Sequence, residues 1–521
     1  MFIPFFLYAE VHHKFSIIPN FIYQKEPEII ADFPRRLEPH VERIPFVINV
    51  KDANKFPIIL KEVYVKILKP KNKIVKKIFA GNEIIRQRIY QKSFYLKKDF
   101  DIEGDHPVIV EIHYFHNNKE RIVENHNYRK APRSLWYINF SKNMLPGKRN
   151  WYPGDIHWHS IYTEDDVEFG QSLENAVDLA KSSGLYFLGV TDHSYDLDDE
   201  IGKYREKDEE LIKWQTFKKK AELLNNRNTD FVFLDGEEVS AGNSRGRNVH
   251  VLVFGNDKFI EGSGDSTDIP FKNYPDSHLK DFSSRVDFSI AAHPYEGYSL
   301  LPSIFLRRGK WEEEDLDLVN GMQFYNGRKN KGYLKGKEKW IELLLKGKKK
   351  YAYAGTDAHG DFNRAFKVKI PFLKIIENKE QIAGNVKTYV HCDKKPNKAL
   401  LLKNLKRGRC IISDGPFLDL KFKTSEKEYL CGDSIENEES GDIVITMQSS
   451  KEFGKLDSLL IFKGNLKTQK EEIFEEIMLN DFENIYKQSY NIKGNEREYI
   501  RAELKTNKNK IALTNPLFLN Y

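Results

Sequence analysis

Six short motifs, each at the end of a short apolar run, constrain this chain more than any other feature. They are Asp155-Ile156-His157-Trp158-His159, Thr191-Asp192-His193, Gly236-Glu237-Glu238, Asn248-Val249-His250, Ala291-Ala292-His293-Pro294 and Thr356-Asp357-Ala358-His359. A parallel α/β barrel builds its site from the C-terminal ends of its strands, where segments distant in sequence share one small volume. The pattern therefore predicts a multinuclear metal site at one mouth of a barrel. Imidazole nitrogens and carboxylate oxygens are the ligands that hold Zn²⁺, Mn²⁺ or Fe. A His-x-His pair on a strand points both rings to one face, so His157 and His159 fall on one metal. A lone histidine is more often an ordinary core or surface residue; it is the ordered set that carries the expectation.

The rhythm of the chain divides it in three. Residues 1–148 read as a β-sandwich-like domain, with runs such as Glu62-Val-Tyr-Val-Lys-Ile-Leu68 and Pro107-Val-Ile-Val-Glu-Ile-His113 separated by Lys/Asn/Gly turns. Residues 149–416 alternate apolar strands with helical segments, the sign of βα units. Leu173, Ala176, Val177 and Ala180 share a helical face, and Gly184 stands where a C-terminal cap is wanted. Candidate strands follow at Leu185–Val190, Phe231–Asp235, Val249–Phe254, Phe288–Ala292, Gly321–Tyr325 and Tyr351–Ala354. Residues 417–521 alternate again and read as a second β-domain. The expected fold is α/β: a barrel of βα units flanked by two β-domains.

Composition narrows the classes. A chain of 521 residues with 40% hydrophobic and 31% charged residues suits a multidomain globular protein. No apolar run reaches the length of a spanning helix. The net charge of +6 is small against 83 basic and 77 acidic residues, and the lysine runs carry no interleaved aromatics, so nucleic acid is not the expected partner. Cys392, Cys410 and Cys431 are too scattered for a disulfide framework and read as buried small hydrophobes. The start, Met1 to Ala9, is apolar but short and lacks a basic leader, which favours the cytoplasm over export.

In the order His-x-His, Thr-Asp-His, Gly-x-Glu-Val-Ser, Val-His, Ala-His-Pro and Asp-Ala-His, residues 150–416 resemble the polymerase and histidinol phosphatase (PHP) superfamily, whose fold is a distorted seven-stranded βα barrel. Tyr325-Asn326-Gly327, Ser413-Asp-Gly-Pro416 and Leu513-Thr-Asn-Pro516 are similar to the CehA/McbA-type metallohydrolases. The resemblance implies up to three divalent ions. It would assign His157, His159, Glu238 and Asp357 to the first, with Glu238 bridging to a second completed by His250 and His293. His193 and His359 would hold the third. The family's Asp at the remaining third-metal position is Glu164 here, with Asp165 or Asp166 as substitutes. Glu237 is expected to point to the opposite face as a solvated or paired carboxylate, and Asp192 to orient a histidine from outside the ligand set.

Closely held divalent ions lower the pKa of a bridging water and neutralise charge on the attacked group. The leading expectation is accordingly a metal-dependent phosphoesterase acting on a small or medium organic substrate. Arg245, Arg247, Asn326 and Arg328 would bind that substrate, the arginines through their bidentate fork. Two alternatives accompany it: a carbamate, ester or amide hydrolase using the same metals, and a non-catalytic binding protein on a relic barrel.

Overall fold

The computed structural model describes residues 26–127, 135–163, 170–203, 206–262, 274–297, 307–364, 367–370, 373–376, 381–436, 440–492 and 496–520. The apolar start and Glu164, Asp165 and Asp166 lie outside them.

The alternating runs near the N-terminus form strands. Ile58–Leu68 and Gly104–His116 alternate buried with less buried residues, the pattern of sheets with one face on a core. They belong to a six-stranded sheet. Together with a three-stranded sheet of Glu28–Asp32, Arg43–Lys51 and Ile89–Lys97, it encloses one core around Phe33, Phe46, Trp136 and Phe140.

Seven strands of the central region lie side by side in chain order: Trp151–His159, Phe187–Val190, Val232–Gly242, Asn248–Phe254, Phe288–Ala292, Gly321–Asn326 and Tyr351–Gly355. The sheet curls back on itself. Ala358–His359, just beyond the last of these strands, pairs in parallel with Trp158 and His159 of the first. The Asp357 N–H donates to the His157 carbonyl at 2.8 Å.

The expected (βα)7 barrel is corrected by the strand directions and by the helices. Val232–Gly242 and Phe288–Ala292 both flank Asn248–Phe254 antiparallel, and Lys387–His391 flanks Trp151–His159 antiparallel. Connection length supplies one reason. Only residues 243–247 separate Gly242 from Asn248, whereas a parallel crossover takes a dozen or more residues. Among the described residues there are seven helices, and three of them run only four or five residues, too few and too short to follow every strand. The long ones are Leu173–Ser182, Ile212–Arg227, Lys331–Leu345 and Lys398–Lys406. Leu173–Ser182 buries Leu173, Ala176, Val177 and Ala180 as its spacing predicts, and Gly184 follows at φ +90°.

The central sheet also runs on past Ser413. Cys410–Ser413 pairs with Ile511–Thr514, which leads to Glu498–Thr506, Leu456–Asn465 and Lys470–Met478. A four-stranded sheet containing Phe417–Lys423, Ser440–Gln448 and Glu483–Asn491 covers the same core, where Leu418, Ile461 and Leu504 meet. All three cysteines are buried and free. Among the described residues no helix is long and apolar enough to cross a membrane.

The N-terminal sheets brace the loop that follows His359. Asp32, fully buried, accepts from the backbone N–H groups of Phe362, Asn363 and Arg364 at 3.0, 2.9 and 3.2 Å. Burial, opposed by the nearby Arg364 guanidinium, lifts its carboxyl to about 7. An acid whose folded pKa is raised contributes stability that is present at low pH and lost as the pH rises toward 7. Asp32→Asn is therefore expected to flatten the loss of stability between pH 4.5 and 7.5, measured by urea unfolding at both values; an unchanged difference between them would refute this.

Candidate metal centre

In the strand Trp151–His159, alternation sends Ile156 and Trp158 into apolar cores on one side and Asp155, His157 and His159 to the other. Asp155 anchors this end of the strand. It accepts from the N–H groups of His157 and Gly384 and from both the N–H and the hydroxyl of Thr356. Burial raises its pKa, with these donors opposing. The curl of the sheet then brings Asp357 across His157. Asp357 has φ +56° and His293 φ +28°, both in the left-handed region. Non-glycine residues there cost of order 1–3 kcal/mol each and persist where the surroundings dictate them.

Four ligand atoms meet at the centre. His157 Nε2 and His159 Nε2 are 3.1 Å apart. Each lies 3.3 Å from Glu238 Oε2, and they lie 3.3 and 3.2 Å from Asp357 Oδ1. A tetrahedral ion with bonds of about 2.0–2.1 Å has ligand–ligand edges of roughly 3.3–3.4 Å. The five measured separations match those edges within about 0.3 Å. A proton on either imidazole satisfies one or two of these contacts, whereas a central cation satisfies all of them.

Two further groups share residues with the first. Glu238 Oε1 lies 2.7 Å from His250 Nδ1 and 3.2 Å from His293 Nε2. His159, His193 and His359 form the other, with the His159 and His359 rings stacked at 4.4 Å and His193 Nδ1 3.1 Å from Glu238 Oε2. In all three groups the ligand atoms fall within 4.8 Å of one another. Eight of the nine expected metal ligands are thus brought together, and Glu164 lies outside the described residues.

The electrostatics follow from burying carboxylates among imidazoles. Burial would neutralise Glu238 and Asp357, yet the surrounding histidines hold both well below the usual carboxylate range. Burial opposes charge on His159 and His293 too, but Asp357 and Glu238 lift them to about 10 and about 9. His359, half-buried beside His159, is lowered to about 3 by desolvation and by the charge on His159.

Several supporting residues escape sequence reasoning. Glu296 accepts from Asn326 Nδ2 at 2.6 Å, Asn326 Oδ1 accepts from Gln323 Nε2 at 3.0 Å, and Gln323 Oε1 faces His157 Nδ1 at 2.8 Å. The Glu296 carboxylate can only accept, so it fixes both amide orientations in turn. His157 Nδ1–H must then donate to Gln323, which leaves the Nε2 lone pair aimed at the centre. A polar residue inside the apolar run Gly-Met-Gln-Phe-Tyr was the available signal. Gln323→Leu is expected to weaken metal affinity about 10–100-fold; an unchanged affinity in competitive chelator titration would rule this out.

Other expectations sort plainly. Asn326 also reaches Asp357 Oδ2 at 3.4 Å, as does Gln381. Asn326 thereby supports a ligand. Arg328 lies 3.5 Å from Glu296 and is partly exposed. Arg245 is exposed and paired with Glu312, and Arg247 is exposed on the same turn, so neither contacts the cluster. Asp192 accepts from Ser160 and from the Thr163 N–H, and among the described residues no histidine donates to it; Thr163 Oγ1 in turn lies 3.2 Å from His159 Nδ1. Glu237 does turn away from the cluster but is buried, not solvated, accepting from Trp214, Asn256, Ser194 and the Ile260 N–H.

No family model and no curated protein matches the chain. It is similar to the solved structures of a beta-D-mannosidase from Dictyoglomus thermophilum (9% identity, 92% of this chain, 64% of that chain, TM-score 0.24) and a beta-glucuronidase from Parabacteroides merdae (9% identity, 95% and 64%, TM-score 0.19). A putative beta-galactosidase from Bacteroides fragilis gives 10% identity over 95% of this chain and 73% of that one, at TM-score 0.17. The chain spans 64% of the length of the first two. The PHP and CehA/McbA resemblance is corrected here, because no family model matches the chain and the antiparallel strands of the central sheet depart from the barrel that the resemblance implied. The phosphoesterase expectation, the carbamate, ester or amide alternative and the relic binding protein are withdrawn with it. Likeness at these TM-scores carries no activity to this chain, and the ligand geometry stands apart from any family.

Proposed function

We propose that this chain is a metal-dependent hydrolytic enzyme whose centre takes two or three divalent ions, Zn²⁺, Mn²⁺ or Fe²⁺. The observation that carries the reading is the cluster of His157, His159, Glu238 and Asp357, whose imidazole nitrogens lie 3.1 Å from each other and 3.2 to 3.3 Å from both carboxylates. Bound divalent ions would acidify water and polarise the bond under attack. Glu238 spans the groups, presenting Oε2 to His157, His159 and His193 and Oε1 to His250 and His293. Gln323 orients His157, Thr163 sits against His159, and Asn326 with Gln381 steadies Asp357. The donor set of nitrogen and oxygen atoms suits these metals over Ca²⁺, which takes oxygen ligands alone.

The test compares metal-depleted and metal-restored protein on chromogenic substrates spanning the hydrolysable bond classes. Turnover that disappears with the metal and returns with Zn²⁺ or Mn²⁺ is expected. Turnover indifferent to depletion, or surviving in a His157→Ala/His159→Ala protein, would contradict the proposal.

A further inference from the structure

A cleft of about 470 Å³ opens where the three parts of the chain meet, and none of the proposed metal ligands lines it. Its walls come from the N-terminal sheets (Arg36, Lys142), from the strand Lys387–His391 and the residues before it, and from the C-terminal strands and turns (Lys451, Lys508, Lys510). Seven cationic and four anionic side chains line it, a surplus of three positive charges.

Most of these cations are matched. Arg36 pairs with Glu38 and Glu452, Lys451 with Glu103, and Lys510 lies 3.8 Å from Asp414. Lys508 donates to the backbone carbonyls of Lys451 and Glu452. Lys387 is different in kind. It is 4% exposed, and among the described residues its ammonium makes neither a hydrogen bond nor an ion pair; the Phe453 ring lies 5.8 Å away. The charges it feels belong to Lys510, Glu452, Arg36 and Asp414, all lining the same cleft. A buried ammonium without an anion costs several kcal/mol, so such groups are kept paired or coordinated.

We propose that this cleft binds a small ligand bearing two or more anionic oxygens, with Lys387 as its buried anchor and Lys508 and Lys510 at its rim. Ammonium groups are compact point charges that suit phosphate-like or carboxylate groups without demanding bidentate geometry. Three converging charges, one of them desolvated, select for multiple charge on the ligand.

The experiment is calorimetric titration of the full chain with inorganic phosphate, against chloride at equal ionic strength. Saturable binding is expected for phosphate, with affinity falling at least tenfold in Lys387→Met. Binding should persist in His157→Ala/His159→Ala, which places it away from the metal cluster. Lys508→Gln/Lys510→Gln changes only rim residues, so it reports even where the buried variant folds poorly, and a loss of several-fold is expected there. Lack of saturable binding, affinity unchanged in both lysine variants, or binding abolished with the histidines would overturn the proposal.

Discussion

Glu238→Gln is expected to give the largest single loss in both stability and activity. Its carboxylate lies within 3.3 Å of nitrogens from five histidines. In the metal-free chain it balances the charge on His159 and His293, whose pKa values stand at about 10 and about 9. Taking one partner from a buried, compensated set leaves charge stranded and costs about 3–5 kcal/mol. A glutamine also turns an amide N–H₂ toward one group of imidazoles where an oxygen stood. In the metal-loaded chain one of the two ligand groups that share Glu238 loses an oxygen donor, and the other keeps only a neutral amide oxygen. Turnover should fall by at least ~100-fold, since loss of an outer partner alone costs about 10–100-fold. Urea unfolding and turnover with metal in excess measure the two effects. Stability within about 0.5 kcal/mol of the parent, the size of an ordinary surface substitution, would be incompatible with this arrangement.

Gly355→Ala tests position instead of charge. Gly355 ends the strand beside His157, and a Cβ there would stand 2.7 Å from His157 Cβ, 2.9 Å from the His157 N and 3.2 Å from Gln323 Nε2. Two of these three atoms are held by backbone, so the methyl group cannot be accommodated by a rotamer change. Overpacking of this kind costs about 1–3 kcal/mol. The functional loss should exceed the stability loss, because displacing His157 by a fraction of an ångström spoils its approach to His159, Glu238 and Asp357. A drop of about 100-fold in turnover is expected, in line with the cost of a 1 Å misplacement. Metal affinity should fall in parallel. Parent-like turnover in a folded Gly355→Ala protein would show that His157 is not held as described.

The site was more legible in the sequence than the fold. Histidine and carboxylate at strand ends are chemically expensive to bury, so their order along the chain announced where the chain converges; His250 and His293, 43 residues apart in sequence, both meet Glu238. Strand direction was not announced by composition. An apolar run such as Asn248–Phe254 reads the same in either direction, and only the short 243–247 link requires the antiparallel pairing. The continuity of the central sheet into Ile511–Thr514 was hidden because it depends on pairing across nearly a hundred residues. Supporting groups were hidden for a different reason. Gln323, Thr163 and Gln381 are ordinary polar residues until the fold places them against His157, His159 and Asp357. The arginines misled because a fork suited to anions says nothing of location, and Arg245 faces Glu312.

The central claim is that these residues hold metal together, and stoichiometry tests it most directly. Chelator-stripped chain is dialysed to equilibrium against Zn²⁺ or Mn²⁺ and the bound metal is counted by mass spectrometry. Two or three ions per chain are expected from the three ligand groups, with at least one lost in His157→Ala/His159→Ala. Less than one ion per chain, or a count untouched by removing both histidines, would contradict it.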